Sequence, residues 1–320
     1  MQMQKTKKDE ISNCAVGRDN SHGSCFSLDE LHSIANDYNS TVKDGKKIKL
    51  WPTKKEMLLE LKEKLTECSD QTCWPTLKFI KDHERLNDAF KPNGPAGQFD
   101  WLSTTEINEC MERYMDIYPE FLFIGAVPID IEDLSQFGVK TLDYDKLIKK
   151  GKTKIGIVYN LDEHYKSGSH WVSFFIDMKP NDEHDGKDRK KNVKKIYYSD
   201  SAAKPPDVRV KRLVKKLAEK WYAKDTGKKV ELPVNSYMNE KEQNIVEQKY
   251  DIRFNKTQHQ FGGSECGVYA INFIIRLLRG DDFDEIHKSR ITDKEMNVCR
   301  KIYFNNYDNL IKNNNKVIIC

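Results

Sequence analysis

The stretch Gln258-His259-Gln260-Phe261-Gly262-Gly263-Ser264-Glu265-Cys266-Gly267-Val268-Tyr269 decides how this chain is read. A glycine-rich turn runs into one cysteine, and residues 266–278 behind it are apolar at nearly every position. That pattern predicts a helix buried nearly all round and opening at the cysteine. A helix start carries unpaired N–H groups and the positive end of the dipole, so Cys266 sits where a thiolate is favoured. Gly262, Gly263 and Gly267 allow backbone to pack closely around the sulfur. Gln260 lies upstream, and its side-chain amide, with the Cys266 backbone N–H, can donate to the oxyanion of a tetrahedral intermediate.

A thiol of this kind calls for a base. Residues 171–177 and 193–199 read as two strands, with His170 at the start of the first and Asp200 at the end of the second. In an antiparallel hairpin those two ends lie together, and directly opposed residues share a face at roughly 4.5–5.5 Å. His170 and Asp200 are therefore expected to meet as base and orienter, the carboxylate holding one imidazole tautomer. The rivals fit less well. His164 and His259 lack a matching downstream aspartate strand, Asp177 sits too far along the histidine strand to reach back, and Gln258 has the wrong spacing. Each residue alone has an ordinary reading: Cys266 as a buried thiol, His170 as a structural histidine, Trp101 and Trp171 as core aromatics.

Further out, the chain has 320 residues, 38% hydrophobic and 32% charged, with mean hydropathy −0.76. No apolar run approaches the ~18 residues of a spanning helix, so a polytopic membrane protein is excluded. An aromatic content of 10% excludes wholesale disorder. A net charge of +4 does not mark the whole chain as a nucleic-acid binder. The first ten residues lack a secretory h-region, so the expected setting is intracellular and reducing, and the eight cysteines are expected to be thiols. None forms a C-x-x-C pair; Cys14, His22 and Cys25 have ligand types but irregular spacing, and no metal site or cofactor is expected. Helical spacing predicts helices near 27–38, over 54–66, over 73–80 and over 208–222, and Ser103 with Glu106 marks a capping box for one more. Strands are expected at 121–127, 155–160 and 250–254. Lys91-Pro-Asn-Gly-Pro-Ala-Gly97 is the strongest punctuation. It divides a mainly helical segment, residues 1–95, from a mixed domain, residues 96–320, of α+β class. Basic residues gather in 187–229, where a solvated helix face is the ordinary reading.

The order His170-Trp171, Tyr198-Ser199-Asp200-Ser201, Gln260…Cys266-Gly267-Val268-Tyr269 resembles that of the ubiquitin-like-protein-specific (Ulp/SENP-type) and adenovirus-type cysteine proteases. Trp101-Leu-Ser-Thr-Thr-Glu-Ile107-Asn108 is similar to that family's Trp-Leu-Asn-Asp…Ile-Asn helix start, departing at Ser103-Thr104. The likeness covers residues 101–278. Cys73-Trp-Pro-Thr-Leu77, Ala89-Phe-Lys-Pro92 and Tyr118-Pro-Glu-Phe121…Gly125-Ala-Val-Pro-Ile-Asp130 resemble thiol proteases of nucleocytoplasmic large DNA viruses more than cellular desumoylases. The resemblance implies a papain-like, adenain-like core with a central mixed sheet flanked by helices. It implies a cysteine endopeptidase that needs no cofactor, with Cys266 as nucleophile, His170 as base, Asp200 as orienter and Gln260 as oxyanion donor. Trp101 and Trp171 would wall a slot that only side-chain-free residues fit, giving cleavage at Gly-Gly-x sites of viral structural precursors. Removal of a ubiquitin-like modifier is the alternative substrate, a catalytically silent module for Gly-Gly tails is the alternative class, and contact with nucleic acid through 187–229 is a further expectation of the kinship.

Overall fold

The computed structural model describes residues 13–97, 99–134, 139–179, 193–228, 249–305 and 320. The chain separates into two compact units, one from Met1–Gly94 with Lys301–Lys312, the other from Pro95–Arg300 with Asn313–Cys320.

In the first unit, Ser27 and Glu30 form a reciprocal capping box that starts α1, Leu28–Asn39. Thr53 caps α2, Lys54–Lys64. Leu31, Ile34, Met57 and Leu61 recur at helical spacing and are fully buried, with Phe26 stacked on Trp74 at 5.9 Å. Residues 73–80 do not form the expected helix. Pro75 brings no N–H to an α-helical ladder, and the segment takes a 3₁₀ turn, Gln71–Thr76, before the short α3, His83–Asn87. The segment after Arg300 joins this unit through Lys91 Nζ, which donates to the Lys301 carbonyl at 2.8 Å.

The second unit opens with α4, Thr104–Ile117, where the Ser103–Glu106 capping box is present and Ile107, Cys110, Met111 and Tyr114 are buried. Five strands form one sheet in chain order: β1 (Phe121–Pro128), β2 (Lys154–Asn160), β3 (Trp171–Asp177), β4 (Lys195–Ser199) and β5 (Asp251–Phe254). The outer pairs are parallel and the two inner pairs antiparallel, so the sheet is mixed. Between β1 and β2 lies α5, Tyr144–Lys149. The long α6, Val208–Thr226, buries Val210, Leu213, Val214, Leu217 and Trp221 in a core shared with Val172, Phe174 and Ile176 of β3. Then α7, Cys266–Arg279, buries every residue from Cys266 to Leu278 and packs on β3, which is itself buried along its whole length. Strands covered on both faces read as continuous apolar runs, as 171–176 does. Two short helices follow, α8 (Phe283–His287) and α9 (Asp293–Tyr303).

The cysteines correct the compartment argument. Six of them pair as Cys14–Cys25, Cys68–Cys73 and Cys299–Cys320, leaving Cys110 and Cys266 as thiols. Spacing does not reveal such pairs, because tertiary contacts make them: a backbone bridge between Cys14 and Phe90 brings the first pair beside the Phe26 core. A small unit with a modest core gains from such cross-links. Most of the charged loop at 179–191, part of the basic run in 187–229, and residues 306–319 lie outside the described residues.

Candidate active site

Cys266 is the first residue of α7 and is buried. Glu265 precedes it without capping the helix through its side chain. A Cβ at Gly267 would lie 3.0 Å from the Leu102 Cβ, so glycine there lets the helix start close against the segment that leads into α4.

On β3 and β4, Ser173 opposes Ser199. Continued past the ladder, that register sets Asp200 opposite Val172, with His170 two residues further on. The pair is thus a diagonal neighbour rather than directly opposed, and the long imidazole closes the gap. His170 Nε2 meets Asp200 Oδ1 at 2.7 Å. The Cys266 side chain also acts on the ring, favouring its charged form. With Nε2 turned to the carboxylate, Nδ1 is the nitrogen left for the thiol. Burial pushes the His170 pKa down, but the interactions with Asp200 and Cys266 outweigh it and raise it to about 9. The imidazole therefore carries a proton at neutral pH.

Asp200 is fully buried. Its backbone is held by Asn255, whose Oδ1 accepts from Asp200 N at 2.8 Å and whose Nδ2 donates to Asp200 O at 2.7 Å. Ala202 N also donates to Asp200 Oδ1 at 2.8 Å. Gln260 is fixed at both ends of its amide: Oε1 accepts from Ser201 Oγ at 2.6 Å, and Nε2 donates to the Gly262 carbonyl at 3.1 Å. A side-chain amide nitrogen has two hydrogens, so one remains for an incoming oxyanion. Asn255 and Ser201 carry no role in the sequence reading. Ser201 was visible as the residue after Asp200, but Asn255 acquires its place only through the parallel pairing of β5 with β4.

Trp101 and Trp171 line one groove of about 450 Å³ together with Leu102, Asn160, His164 and Gly168. Trp171 is buried, its Nε1 donating to the Leu102 carbonyl at 2.8 Å, whereas Trp101 is 42% exposed. The rival histidines are spoken for elsewhere. His164 does have a carboxylate, Asp130 at 2.6 Å, supplied from upstream rather than downstream. His259 contacts His287 at 3.0 Å. Asp177 lies at the opposite end of β3, across from Lys154 and Lys195. An imidazole held by a carboxylate in this way can take up and release a proton.

No described helix is long and apolar enough to cross a membrane. Residues 159–314 match the Ulp1 protease family, C-terminal catalytic domain. A protein of Acanthamoeba polyphaga mimivirus named for thiol protease activity is 32% identical over 92% of this chain and 93% of its own length. A protein of African swine fever virus named as a SUMO-1 cysteine protease is 22% identical over 76% of this chain and 85% of its own. The crystal structure of an African swine fever virus protease superposes with a TM-score of 0.60, at 20% identity, covering 92% of this chain and 96% of that one. An α+β sheet of this order, a thiol at a helix start and a full-length thiol protease relative lead to one conclusion: the chain belongs to the Ulp1 protease family and is a cysteine peptidase acting on protein substrates.

Proposed function

We propose that Cys266 is the nucleophile, His170 the general acid and base, Asp200 its orienter, and Gln260 with the Cys266 N–H the oxyanion donors. The observation that carries this reading is the His170 imidazole held by Asp200 at 2.7 Å, with Cys266 acting on the same ring. The sulfur attacks the scissile carbonyl, and the carbonyl electron pair moves to the oxygen held by the two donors. The His170 proton passes to the leaving amine, giving a thioester and a free amine. Water then attacks the thioester, its proton going to His170, and the acid product leaves with the thiolate restored.

The substrates of this reading are viral structural precursors cut at Gly-Gly-x sites, with Trp101 and Trp171 flanking the glycines in the groove. The viral origin of the relatives and the indole-lined groove support it. Residues 1–95 serve it as an accessory segment and 96–320 as the protease domain, with residues 301–312 grouping with the former. A second reading, release of a ubiquitin-like modifier through its Gly-Gly tail, is favoured by the SUMO-1 protease name of the African swine fever virus relative. Purified protein is assayed on precursor peptides with Gly-Gly-x sites and on a modifier fused through its tail. The first reading expects peptide cleavage that vanishes, with thiol-probe labelling, in Cys266→Ala; retained turnover in that variant would sink the assignment. Exclusive cleavage of the fusion would select the second reading.

A further inference from the structure

Helix α9 is amphipathic in an unusual sense: its inward stripe is partly polar. Thr292 and Glu295 form the reciprocal bonds that start it. Asp293, Asn297 and Arg300 then follow at i, i+4 and i+7, so they share one face, beside the buried Met296 and Cys299.

That face meets the turn that delivers Cys266. Asp293 Oδ2 accepts from two consecutive backbone donors, Phe261 N at 3.0 Å and Gly262 N at 2.9 Å. Its other oxygen accepts from the Tyr269 hydroxyl, on α7, at 3.1 Å. Asn297 Nδ2 donates to Glu265 Oε1 at 2.9 Å, and the same carboxylate takes Ser264 N on Oε2 at 3.1 Å. Arg300 is fully buried. Its Nη2 donates to the Ser264 carbonyl at 3.1 Å and its Nε to Asn297 Oδ1 at 2.9 Å. A Cβ at Gly262 would lie 2.7 Å from Glu265 Oε2, so the turn is closed tightly on itself.

We infer that α9 is a clamp on the 261–265 turn, with Asp293, Asn297 and Arg300 as positioning residues for the oxyanion donors; this rests on the roles given above to Cys266 and Gln260. The chain of contact is direct. Asp293 fixes the peptides on both sides of Phe261, adjoining the peptide that carries the Gly262 carbonyl, and that carbonyl holds Gln260 Nε2. Arg300 and the Asn297–Glu265 pair fix the Ser264 peptides at the other end of the turn, adjoining the peptide that carries the Cys266 N–H. The two donors thus stand at the two ends of a turn whose two glycines would otherwise leave their separation loose. Donors placed for an oxyanion lose their effect when displaced by about an ångström.

The test separates acyl transfer from thiol reactivity. Alkylation by iodoacetamide needs the thiolate and no oxyanion donor, whereas peptide turnover and binding of a Gly-Gly aldehyde need both. Asp293→Ala is expected to lower kcat by roughly 10–100-fold, a fraction of what loss of a whole donor does, with KM nearly unchanged. Aldehyde affinity should fall in parallel and the alkylation rate should hold. Asp293→Asn, which keeps an acceptor oxygen, should recover most of the loss, and Lys294→Ala on the outer face should behave as the parent. Hydrogen exchange at the Phe261 and Gly262 amides should quicken in Asp293→Ala. Unchanged kcat, equal damage from Asn and Ala, or alkylation falling in step with turnover would overturn the clamp. Should the parent protein fail to cleave the peptide, the proposed function fails instead, and amide exchange still judges the clamp: acceleration upholds it and unchanged exchange refutes it.

Discussion

Two imidazole sites, His170 with Asp200 and His259 with His287, lie in the same unit, joined through one backbone carbonyl. Ser201 O, next to Asp200, accepts from both His259 N at 2.8 Å and Gln260 N at 2.9 Å. Burial acts on both pairs in the same direction, against the charged ring. At His170 a carboxylate and a thiol reverse that effect, and the pKa rises to about 9. At His259 there is no such partner: burial, then Arg276 and Arg290, hold it down at about 4, and burial, His259 and Arg276 hold His287 at about 3. Ile291 N donates to His259 Nδ1, which makes Nε2 the donor to His287 Nδ1 and keeps both rings neutral. Partner identity, not burial, decides which histidine is chemically armed.

The sharpest way to break this contrast is Asp200→Asn, which gives His170 a neutral neighbour like that of His259. We expect kcat to fall by about 10³–10⁴, as in other enzymes whose orienting carboxylate is lost. The alkaline limb of kcat/KM, expected near pH 9 because the raised His170 pKa keeps the ring charged below that point, should move down toward the ordinary histidine value. A limb that stays put would mean Asp200 does not set the charge. Next in size is Gln260→Ala, expected to cost about 10²–10³ in kcat with the pH profile unmoved. Ser201→Ala keeps the carbonyl but frees the Gln260 amide oxygen, and should cost about tenfold or less.

The smallest effect concerns the neutral pair. Both native pKa values lie below the unfolded one, so the unfolded chain takes up protons first as pH drops. The stability due to these rings is fully present above about pH 6.5 and is lost on descent toward about 4. His287→Gln removes one titrating ring, so its Tm should fall less steeply with pH between those limits. An identical acid slope in the variant would remove the pair as the cause.

The sequence was most legible where chemistry and local structure coincide. The helix start at Cys266, the hairpin that joins His170 to Asp200, the Ser103 cap and all five strands lie where apolar runs and turn residues put them. The diagonal offset of His170 was missed because the hairpin's register is not written in either strand alone. Helix α9 escaped because its inward stripe mixes Asp293, Asn297 and Arg300 with apolar residues, and hydrophobic periodicity looks for apolar stripes only. Asn255 and the three disulfides depend on which segments meet in space, and no spacing in the chain carries that information. Of the two tryptophans read as one slot, only Trp101 stands open to solvent; Trp171 spends its ring nitrogen on Leu102.

Three disulfides beside one reactive thiol place the molecule in a bounded redox window. Under strong oxidants a thiolate climbs toward sulfenic and sulfinic acids, the route open to Cys266 as the proposed nucleophile. Under strong reductants, electrons reach the bridges by thiol–disulfide exchange, at rates set by the access and leaving-group acidity of each sulfur. Cys299–Cys320 then becomes the bridge of greatest consequence, since Cys299 belongs to the helix whose Asp293 and Arg300 bond the turn before Cys266. Reducing equivalents, usually a passive additive for a thiol enzyme, are for this one a variable with a useful upper bound as well as a lower one.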